Sequence, residues 1–220
     1  MKNLYLIVFF GFLCASTLTA RAQNDAVNLP KCGHFGDMLK WSISGDTLTI
    51  SGTGDMPDYE HPAPTPWFAY IDSITDVIIE EGVSSIGISA FADFPILKSV
   101  IMPNSVKSIG DGAFAFCEEL TSITMSDSLK RIGDAAFFDC TNLPSIVIPK
   151  LVTTLGDGVF YECTALTKVI NRAKRPQPIV ANVFDSVNRV KCILYVPAAS
   201  RAAYRAARVW ATFVYIKNDI

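Results

Sequence analysis

Histidine is nearly absent from this chain, and its scarcity removes the commonest routes to catalysis. Only His34 and His61 occur among 220 residues. A hydrolytic site needs a nucleophile, a general base and an orienting group in one place, and histidine most often supplies the base. A zinc site needs ligands that converge on one point. The two histidines lack metal-ligand spacing, so we predict no enzyme, no metal and no cofactor.

Long apolar runs are missing after residue 22, where no segment approaches the 18 uninterrupted apolar residues of a transmembrane helix. The chain opens with Lys2, an apolar run over residues 4–15, and small residues around Arg21. This pattern predicts a cleaved export signal over residues 1–22, with a membrane anchor as the alternative. We therefore expect an exported protein (secreted, cell-surface or periplasmic) with no stable membrane insertion.

Positive charge is scarce in most of the chain and concentrated at its end. Residues 23–167 carry 19 acidic and 7 basic side chains, whereas residues 168–220 carry 10 basic and 2 acidic ones. An exported protein with an acidic balance is a poor candidate for binding nucleic acid. The basic end either steers an anionic partner or forms the solvated face of a terminal cap.

What the chain does contain is a strict repeat. An Ile-Gly or Leu-Gly pair followed by a phenylalanine recurs every 23 residues, in segments 86–91, 109–114, 132–137 and 155–160. A period of this size indicates stacked supersecondary units, each of which contacts only its neighbours. Residues 167–191 form an irregular fifth unit, which keeps Phe184 but loses the Ile-Gly motif.

Each unit predicts one coil with a short strand. Ile123 and Met125 alternate with polar residues, and a period of two is typical of a half-buried strand. The Gly-Asp-x-Ala-Phe segment predicts a tight turn with one loop of helix, and its phenylalanine predicts a buried wedge. Stacking the coils buries these apolar columns against one another.

Two repeated columns carry chemically active side chains but are interpreted as structural. The aspartates predict side-chain-to-backbone hydrogen bonds that stop the turn, and paired catalytic carboxylates are the alternative. The cysteines predict small buried residues, because stacked side chains that point the same way disfavour disulfide geometry. The columns are Asp111, Asp134 and Asp157, and Cys117, Cys140 and Cys163. Cys32 and Cys192 lie in opposite caps, too far apart to pair.

The motif Cys-x-x-Leu-x-x-Ile-x-Ile/Met-Pro, followed by Leu/Val-x-x-Ile-Gly-Asp-x-Ala-Phe, resembles the BspA-like subclass of bacterial leucine-rich repeats. Residues 140–149 carry the first part nearly whole. Residues 41–56 resemble the β-hairpin cap of that family, Pro66-Trp67 its entry into the first coil, and 194–197 with Tyr204 and Trp210 its closing strand and helix. The resemblance implies a surface or exported protein, and some relatives adhere to host proteins.

These observations predict a β-rich α/β solenoid, a leucine-rich repeat with short parallel strands and two caps. The expected divisions are a signal peptide (1–22), a β-hairpin cap and linker (23–74), about five repeat coils (75–191), and a closing strand with a helical cap (192–220). Within the last region we expect an Ala-rich helix over 197–213, capped by Ser200.

A ligand is expected on the outward side of the strands, where serines lie beside β-branched residues; the alternative is an ordinary pleated surface without a ligand. The predicted binding face is Ser99, Ile101, Ser122, Thr124, Ser145, Val147, Lys168 and Ile170. A secondary basic patch is predicted at Arg172, Lys174 and Arg175, suited to anionic glycans or lipid headgroups. A weaker candidate is the aromatic group Phe116, Phe138 and Tyr161.

The sequence therefore predicts an exported, non-catalytic binding protein whose repeat surface engages a protein or glycan partner, with adhesion to host molecules as one form of that role. A structural scaffold of the cell envelope, without a dedicated ligand, is the alternative. Ligand identity and oligomeric state are left open.

Overall fold

The chain winds into a solenoid of short strands, as the repeat predicts. The computed structural model describes residues 38–59 and 65–218. The strands within these ranges are β1 (Lys40–Ser44), β2 (Thr47–Ser51), β3 (Gly54–Asp55), β4 (Asp76–Ile79), β5 (Val83–Ile86), β6 (Ser99–Ile101), β7 (Ser108–Ile109), β8 (Ser122–Thr124), β9 (Arg131–Ile132), β10 (Ser145–Ile148), β11 (Thr154–Leu155), β12 (Lys168–Asn171), β13 (Ile193–Val196) and β14 (Tyr215–Asn218). The predicted export signal, both histidines and Cys32 lie outside the described residues.

The described strands form three sheets around the stack. Sheet 1 has the order β1-β2-β4-β6-β8, sheet 2 the order β10-β12-β13-β14, and sheet 3 the order β11-β9-β7-β5-β3. All neighbouring strands pair in parallel except β1 and β2, which form an antiparallel hairpin with Lys40 opposite Ser51. This hairpin confirms the predicted amino-terminal cap, and its second strand begins the parallel stack by pairing with β4.

Sheet 3 was not predicted. Its two-residue steps place Ile109 beside Ile132, and Ile132 beside Leu155, so the Ile-Gly motif supplies a second parallel ladder. A strand of two residues is too short to show alternation between apolar and polar residues. The sequence therefore reveals only the regular spacing of these strands. The loop of helix expected after this motif is wrong, because residues 111–116 and 134–139 form turns.

The repeated phenylalanines form a continuous column through the core. Ring centroids of successive members lie 5.3 to 5.8 Å apart with nearly parallel planes. The column consists of Trp67, Phe91, Phe114, Phe137, Phe160 and Phe184. Trp67 therefore occupies the wedge position one coil before the first predicted unit, and its indole donates to the Ala90 carbonyl at 3.0 Å. All six rings are fully buried.

The glycine of each Ile-Gly pair is required by close stacking. A Cβ at Gly133 would lie 2.6 Å from the backbone nitrogen of Asp111 in the preceding coil, and one at Gly110 would lie 2.5 Å from the nitrogen of Ile88. Neither glycine has a positive φ. The sequence interpretation, which gave these glycines a role in turning the backbone, is corrected to close approach between coils. A positive φ occurs instead at Gly112 and at its counterpart Ala135.

The aspartate and cysteine columns both join neighbouring coils. Asp111 Oδ1 accepts a hydrogen bond from the Asp134 backbone nitrogen at 2.9 Å, and Asp134 Oδ1 accepts one from Asp157 at 2.9 Å. The predicted side-chain-to-backbone bonds are present, but they link coils and do not close the residue's own turn. Each cysteine thiol donates to the carbonyl of the wedge phenylalanine in the preceding coil, and the pairs are Cys117–Phe91, Cys140–Phe114 and Cys163–Phe137.

A proline separates sheet 1 from sheet 2. The residue that begins each coil donates its backbone N–H to the matching residue of the preceding coil: Lys98 to Thr75 at 2.7 Å, Thr121 to Lys98 at 3.0 Å, and Thr167 to Pro144 at 3.0 Å. At the fourth coil this position is Pro144, which has no N–H to donate to Thr121. No strand pairing joins β8 to β10 in the part of the chain described here, whereas β9 and β11 of the same coils remain paired.

The carboxyl-terminal cap differs from the predicted long helix. The only α-helix in the described ranges is α1 (Arg201–Ala206), flanked by 3-10 turns at Ala198–Ser200 and Trp210–Thr212. Ser200 precedes this helix, but its side chain makes no capping hydrogen bond. The edge of sheet 2 is extended by β14, which pairs in parallel with β13. The expected helix over 197–213 is therefore wrong, since buried Trp210 and Phe213 must turn inward onto Phe184.

Candidate functional site

The predicted binding face is one continuous surface in each of the two sheets. Strand pairing aligns its members in two columns, and further residues extend both columns. We call the two extended columns the front face. The first column is Thr47, Asp76, Ser99 and Ser122, continued in sheet 2 by Ser145, Lys168 and Ile193. The second is Thr49, Ile78, Ile101 and Thr124, continued by Val147, Ile170 and Tyr195.

Exposure varies along the front face. Ile101 keeps 49% of its residue surface exposed and Thr124 is also exposed, whereas Val147 and Ile170 are half-buried. Tyr195 belongs to the face although the sequence analysis assigned it to the closing strand, and the Lys168 ammonium lies 5.3 Å from its ring centroid. The parallel pairing of β12 with β13, which no repeat motif announces, places these two side chains together.

The amino-terminal part of the first column is engaged in internal hydrogen bonds. The Ser99 and Thr75 hydroxyls donate to the Asp76 carboxylate. These hydrogen bonds, with that from Ser99 the stronger influence, hold the pKa of Asp76 below its ordinary value. Asp76 is therefore charged at neutral pH, and its carboxylate already accepts hydrogen bonds from Ser99 and Thr75. The later part of the front face is the better candidate for binding a ligand.

A cavity opens at the junction of sheets 1 and 2. Its volume is 610 Å³. We call it the junction cleft, and it is lined by Glu81, Met102, Pro103, Asn104, Ile123, Thr124, Met125, Asp127, Val147, Pro149 and Arg172. Ile123 is half-buried here, although its counterparts Val100 and Ile146 are fully buried. The missing hydrogen bond at Pro144 thus coincides with a local opening of the apolar core.

Charge in the junction cleft is divided between its walls. Glu81 and Asp127 belong to turns of the earlier coils, and Arg172 follows β12. The Asp127 turn is held by Asn104, whose Oδ1 accepts the Asp127 backbone N–H at 3.1 Å. Half-buried Ile123 and Met125 lie between these groups. The cleft therefore offers an apolar floor with both signs of charge at its rim.

The structure brings together some of the predicted site residues and separates others. Thr124 and Val147 of the predicted face meet Arg172 of the predicted basic patch in the junction cleft. Lys174 and Arg175 lie apart from Arg172, in a hollow of 430 Å³ that Lys150 of the preceding coil also lines. The other predicted face residues, Ser99, Ile101, Ser122, Ser145, Lys168 and Ile170, lie outside the cleft lining.

Sequence reasoning missed Glu81, Asn104, Asp127 and Lys150. They share one repeat position at intervals of 23 residues, but the residue type there changes from unit to unit and forms no recurrent motif. One signal was available. A proline at position 144, where other units have Lys98, Thr121 and Thr167, indicates a broken ladder in a predicted strand stack.

The aromatic candidate forms a separate apolar surface. Phe116 and Phe138 meet edge to face with centroids 5.0 Å apart, and Phe138 stacks on Tyr161 at 5.3 Å. The first two line a hollow of 360 Å³ whose other walls are the small residues Ser89, Ala92, Gly112, Ala115 and Ala135. It presents almost no polar group to orient a ligand, which makes it a weaker candidate than the junction cleft.

The cysteines offer no activated nucleophile. Cys117, Cys140, Cys163 and Cys192 are buried free thiols. Burial raises the pKa of Cys117, Cys163 and Cys192 from 9.0 to about 12, so these thiols are protonated at neutral pH. Among residues 38–59 and 65–218 there is no group of three or more metal-ligating side chains, and no helix there is both long and apolar enough to cross a membrane.

Comparison with known proteins matches these features to one repeat family. Residues 64–191 match six copies of the BspA type leucine rich repeat region. A leucine-rich repeat protein from Eubacterium ventriosum is 30% identical over 66% of this chain, with a TM-score of 0.48. The chain spans 43% of the length of that protein.

Two further solved structures are similar. The leucine-rich repeat protein of T. pallidum is 20% identical with a TM-score of 0.54, and the match covers 82% of this chain and 79% of that one. A leucine-rich repeat protein from Bacteroides capillosus is 28% identical over 61% of this chain and 94% of its own, with a TM-score of 0.43. Among curated proteins there is no significant match.

Proposed function

The chain belongs to the BspA-type leucine-rich repeat family, and on this premise we propose that it is an exported, non-catalytic binding protein that engages a protein or glycan partner through its front face. The family indicates a protein-interaction or surface-binding role and is typically non-catalytic. Solenoids of this kind bind along extended repeat surfaces. Adhesion to host molecules is the cellular role that we assign to this binding.

The junction cleft is the observation that carries the proposal. Met125 and Ile123 form an apolar floor in a cavity of 610 Å³, which is large enough to receive a bulky side chain of a partner. Flexible methionine side chains adapt to differently shaped apolar groups. The acidic and basic groups at the rim orient a partner that carries complementary charges. This combination favours a protein segment over a neutral glycan.

A scaffold role is the second candidate, and the two ends of the stack favour it. Strands β1 and β14 are terminal in their sheets within the described ranges, so each has one edge that pairs with no strand there. Such edges readily pair with another strand. The acidic excess of residues 23–167 and the basic excess of residues 168–220 would align copies head to tail.

A binding screen separates the two candidates. The full-length chain is tested against immobilised extracellular matrix proteins and a glycan array, beside the variant Ile101→Asp with Thr124→Asp. Both residues are exposed, so the fold should survive. The matched control is Val190→Asp with Val214→Asp, which changes two exposed apolar residues elsewhere by the same charge.

We expect the front-face variant to bind its partner about tenfold or more weakly, while the affinity of the control stays normal, since buried anchors dominate protein interfaces. Equal binding by both variants would exclude the front face as the site. If no ligand binds, and the protein instead forms oligomers that depend on concentration and dissociate in high salt, the scaffold candidate is favoured.

Export is tested separately in the producing cells. Fractionation combined with external protease treatment should find the protein outside the cytoplasm and cleaved from intact cells, and mass spectrometry should place the new amino terminus after residue 22. A protein that resists external protease on intact cells but is degraded after lysis would contradict the adhesive role, because an inward-facing protein cannot contact host molecules.

A further inference from the structure

The hollow lined by Lys150, Lys174 and Arg175, which we call the basic hollow, lies outside the junction cleft and is not used by the proposed function. No acidic side chain lines it. No ion pair within residues 38–59 and 65–218 engages any of the three cations. Three like charges around one cavity of 430 Å³ repel one another, and an anion bound between them would offset this repulsion.

The segment that carries these cations is held in place by buried hydrogen bonds. Asn171 is fully buried and donates through Nδ2 to Gln177 Oε1 at 2.8 Å, and Gln177 Nε2 donates to the Val152 carbonyl at 2.8 Å. The Ala173 backbone N–H donates to Asn171 Oδ1 at 3.1 Å. Gln177 is thereby tied to the fourth coil, and the two ends of residues 171–177 are tied to each other.

The carboxyl-terminal cap holds the same segment from its other side. Tyr204 donates its hydroxyl to the Ala173 carbonyl at 3.0 Å, and Trp210 donates its indole N–H to the Gln177 carbonyl at 2.9 Å. A cation on such a segment loses less conformational entropy on binding than one on a mobile loop. The backbone that carries Lys174 and Arg175 is therefore preorganised.

This segment also has a structural role, and that role does not explain its charge. Gln177 covers the outer edge of sheet 3 by bonding to the Val152 carbonyl just before β11. Asn171, Ala173 and Gln177 suffice for this covering, and all three are buried. Lys174 and Arg175 are exposed and contribute nothing to it.

A second hollow continues the first. It has a volume of 330 Å³, shares Pro176, Gln177 and Pro178 as a common wall, and is lined on its far side by Arg208. Two adjoining hollows with cations in both suit a chain with repeated negative charges better than one small anion.

We propose that the basic hollow and its neighbour form a binding site for a linear anionic polysaccharide, sulfated or rich in uronic acid. Lys150, Lys174 and Arg175 contact one anionic group, and Arg208 contacts a later group of the same chain across the ridge of Pro176 and Pro178. The site is distinct from the junction cleft, so both can be occupied at once.

The test measures binding of the full-length chain to fluorescent dextran sulfate, with uncharged dextran as the background. The hollow variant reverses the charge of the three cations that line the basic hollow (Lys150→Glu, Lys174→Glu, Arg175→Glu). The matched control reverses three cations of the same basic end that line neither hollow (Arg201→Glu, Arg205→Glu, Lys217→Glu). Near-ultraviolet circular dichroism and the thermal midpoint verify that both variants fold, and Lys174→Ala with Arg175→Ala replaces the first variant if it does not.

We expect the hollow variant to bind on the order of tenfold or more weakly, the control to change by less than about threefold, and Arg208→Glu to fall between them. Equal losses in both triple variants would overturn the proposal in favour of diffuse charge attraction. Sodium sulfate that competes as well as dextran sulfate at equal sulfate concentration would exclude a polymer site. Stronger binding to phosphatidylglycerol vesicles, or to polyglutamate, at equal charge would assign the site to a membrane or a protein.

Discussion

Coils three and four are joined on one side of the solenoid and separated on the other. On the sheet 3 side β9 pairs with β11, Asp134 Oδ1 accepts the Asp157 N–H, and Phe137 stacks on Phe160. On the front side β8 and β10 do not pair. The distance of 5.8 Å between the ring centroids of Phe137 and Phe160 is also the widest in the aromatic column. One proline therefore opens a cleft on the front side without interrupting the stack, because strand pairing, hydrogen bonds and ring stacking still join the two coils on the opposite side.

The largest expected effect comes from breaking the continuous side. Phe137→Ala removes a fully buried ring between two stacked neighbours and should lower the free energy of unfolding by about 3–5 kcal/mol. Phe116→Ala is the control, since this exposed ring lies off the column, and it should cost less than about 1 kcal/mol. Urea denaturation measures both. Similar losses would mean that the column is not the main source of cohesion.

The buried thiols predict a loss of stability at alkaline pH. Burial raises the pKa of Cys117 and Cys163 from 9.0 to about 12, so the folded state keeps protons that the unfolded state releases. Their contribution is complete below pH 9 and is lost as the pH rises toward 12. By pH 10 the loss is about 1 kcal/mol for each thiol. The variant with alanine at positions 117, 140 and 163 should show a flatter decline in urea denaturation above pH 9; an unchanged slope would contradict this origin.

Close packing of the coils is tested at a glycine. Gly133→Ala places a Cβ against the backbone of Asp111 and should cost about 1–3 kcal/mol. Gly112→Ala is the matched control, because its surroundings have room for a methyl group and its counterpart in the next coil is already Ala135. Thermal unfolding of both variants is the measurement. A larger loss at Gly112 would show that backbone conformation, and not contact between coils, selects the glycines.

The smallest change in the free energy of unfolding is expected when the missing hydrogen bond between coils three and four is restored on the front side. Pro144→Thr supplies the missing N–H and should form the hydrogen bond to Thr121, which contributes about 0.5–1.5 kcal/mol. The loss of proline stiffness in the unfolded chain offsets much of this gain, so stability should change by less than about 1 kcal/mol. Hydrogen exchange should nevertheless show a protected amide at position 144 and fewer exchanging amides in 122–124. An unprotected amide there would indicate another cause for the separation of the two sheets.

The repeat made most of the fold predictable. A fixed spacing of 23 residues is enough to infer stacked coils, and alternation around Ile123 identifies the front strands. The wedge and the buried cysteines follow from residue type, whereas the hairpin was expected from the resemblance of residues 41–56 to the cap of the family. Sheet 3 and β14 were missed because short strands take their identity from their neighbours in space. The carboxyl-terminal helix was predicted too long because helix propensity over the alanines was outweighed by burial of Trp210 and Phe213.

The candidate sites were less predictable than the fold. Thr124 and Val147 could be assigned to an outward surface by period, but their meeting with Arg172 depends on how coils three to five stack. Lys150 joins Lys174 and Arg175 only because the inserted segment folds back over sheet 3. The inserted segment has no counterpart in the other units, so its proximity to Lys150 is not encoded in the repeat spacing.

The sequence by itself determined the coil, its buried columns and the direction of stacking, because each coil repeats the same local pattern and can bury its apolar side chains only against a neighbour. The tertiary structure decided where that regularity fails. A backbone donor absent at Pro144 and a buried amide pair at Asn171 and Gln177 have consequences only once adjacent coils are in contact. Both failures create concave surfaces, and these surfaces are where ligands are expected to bind.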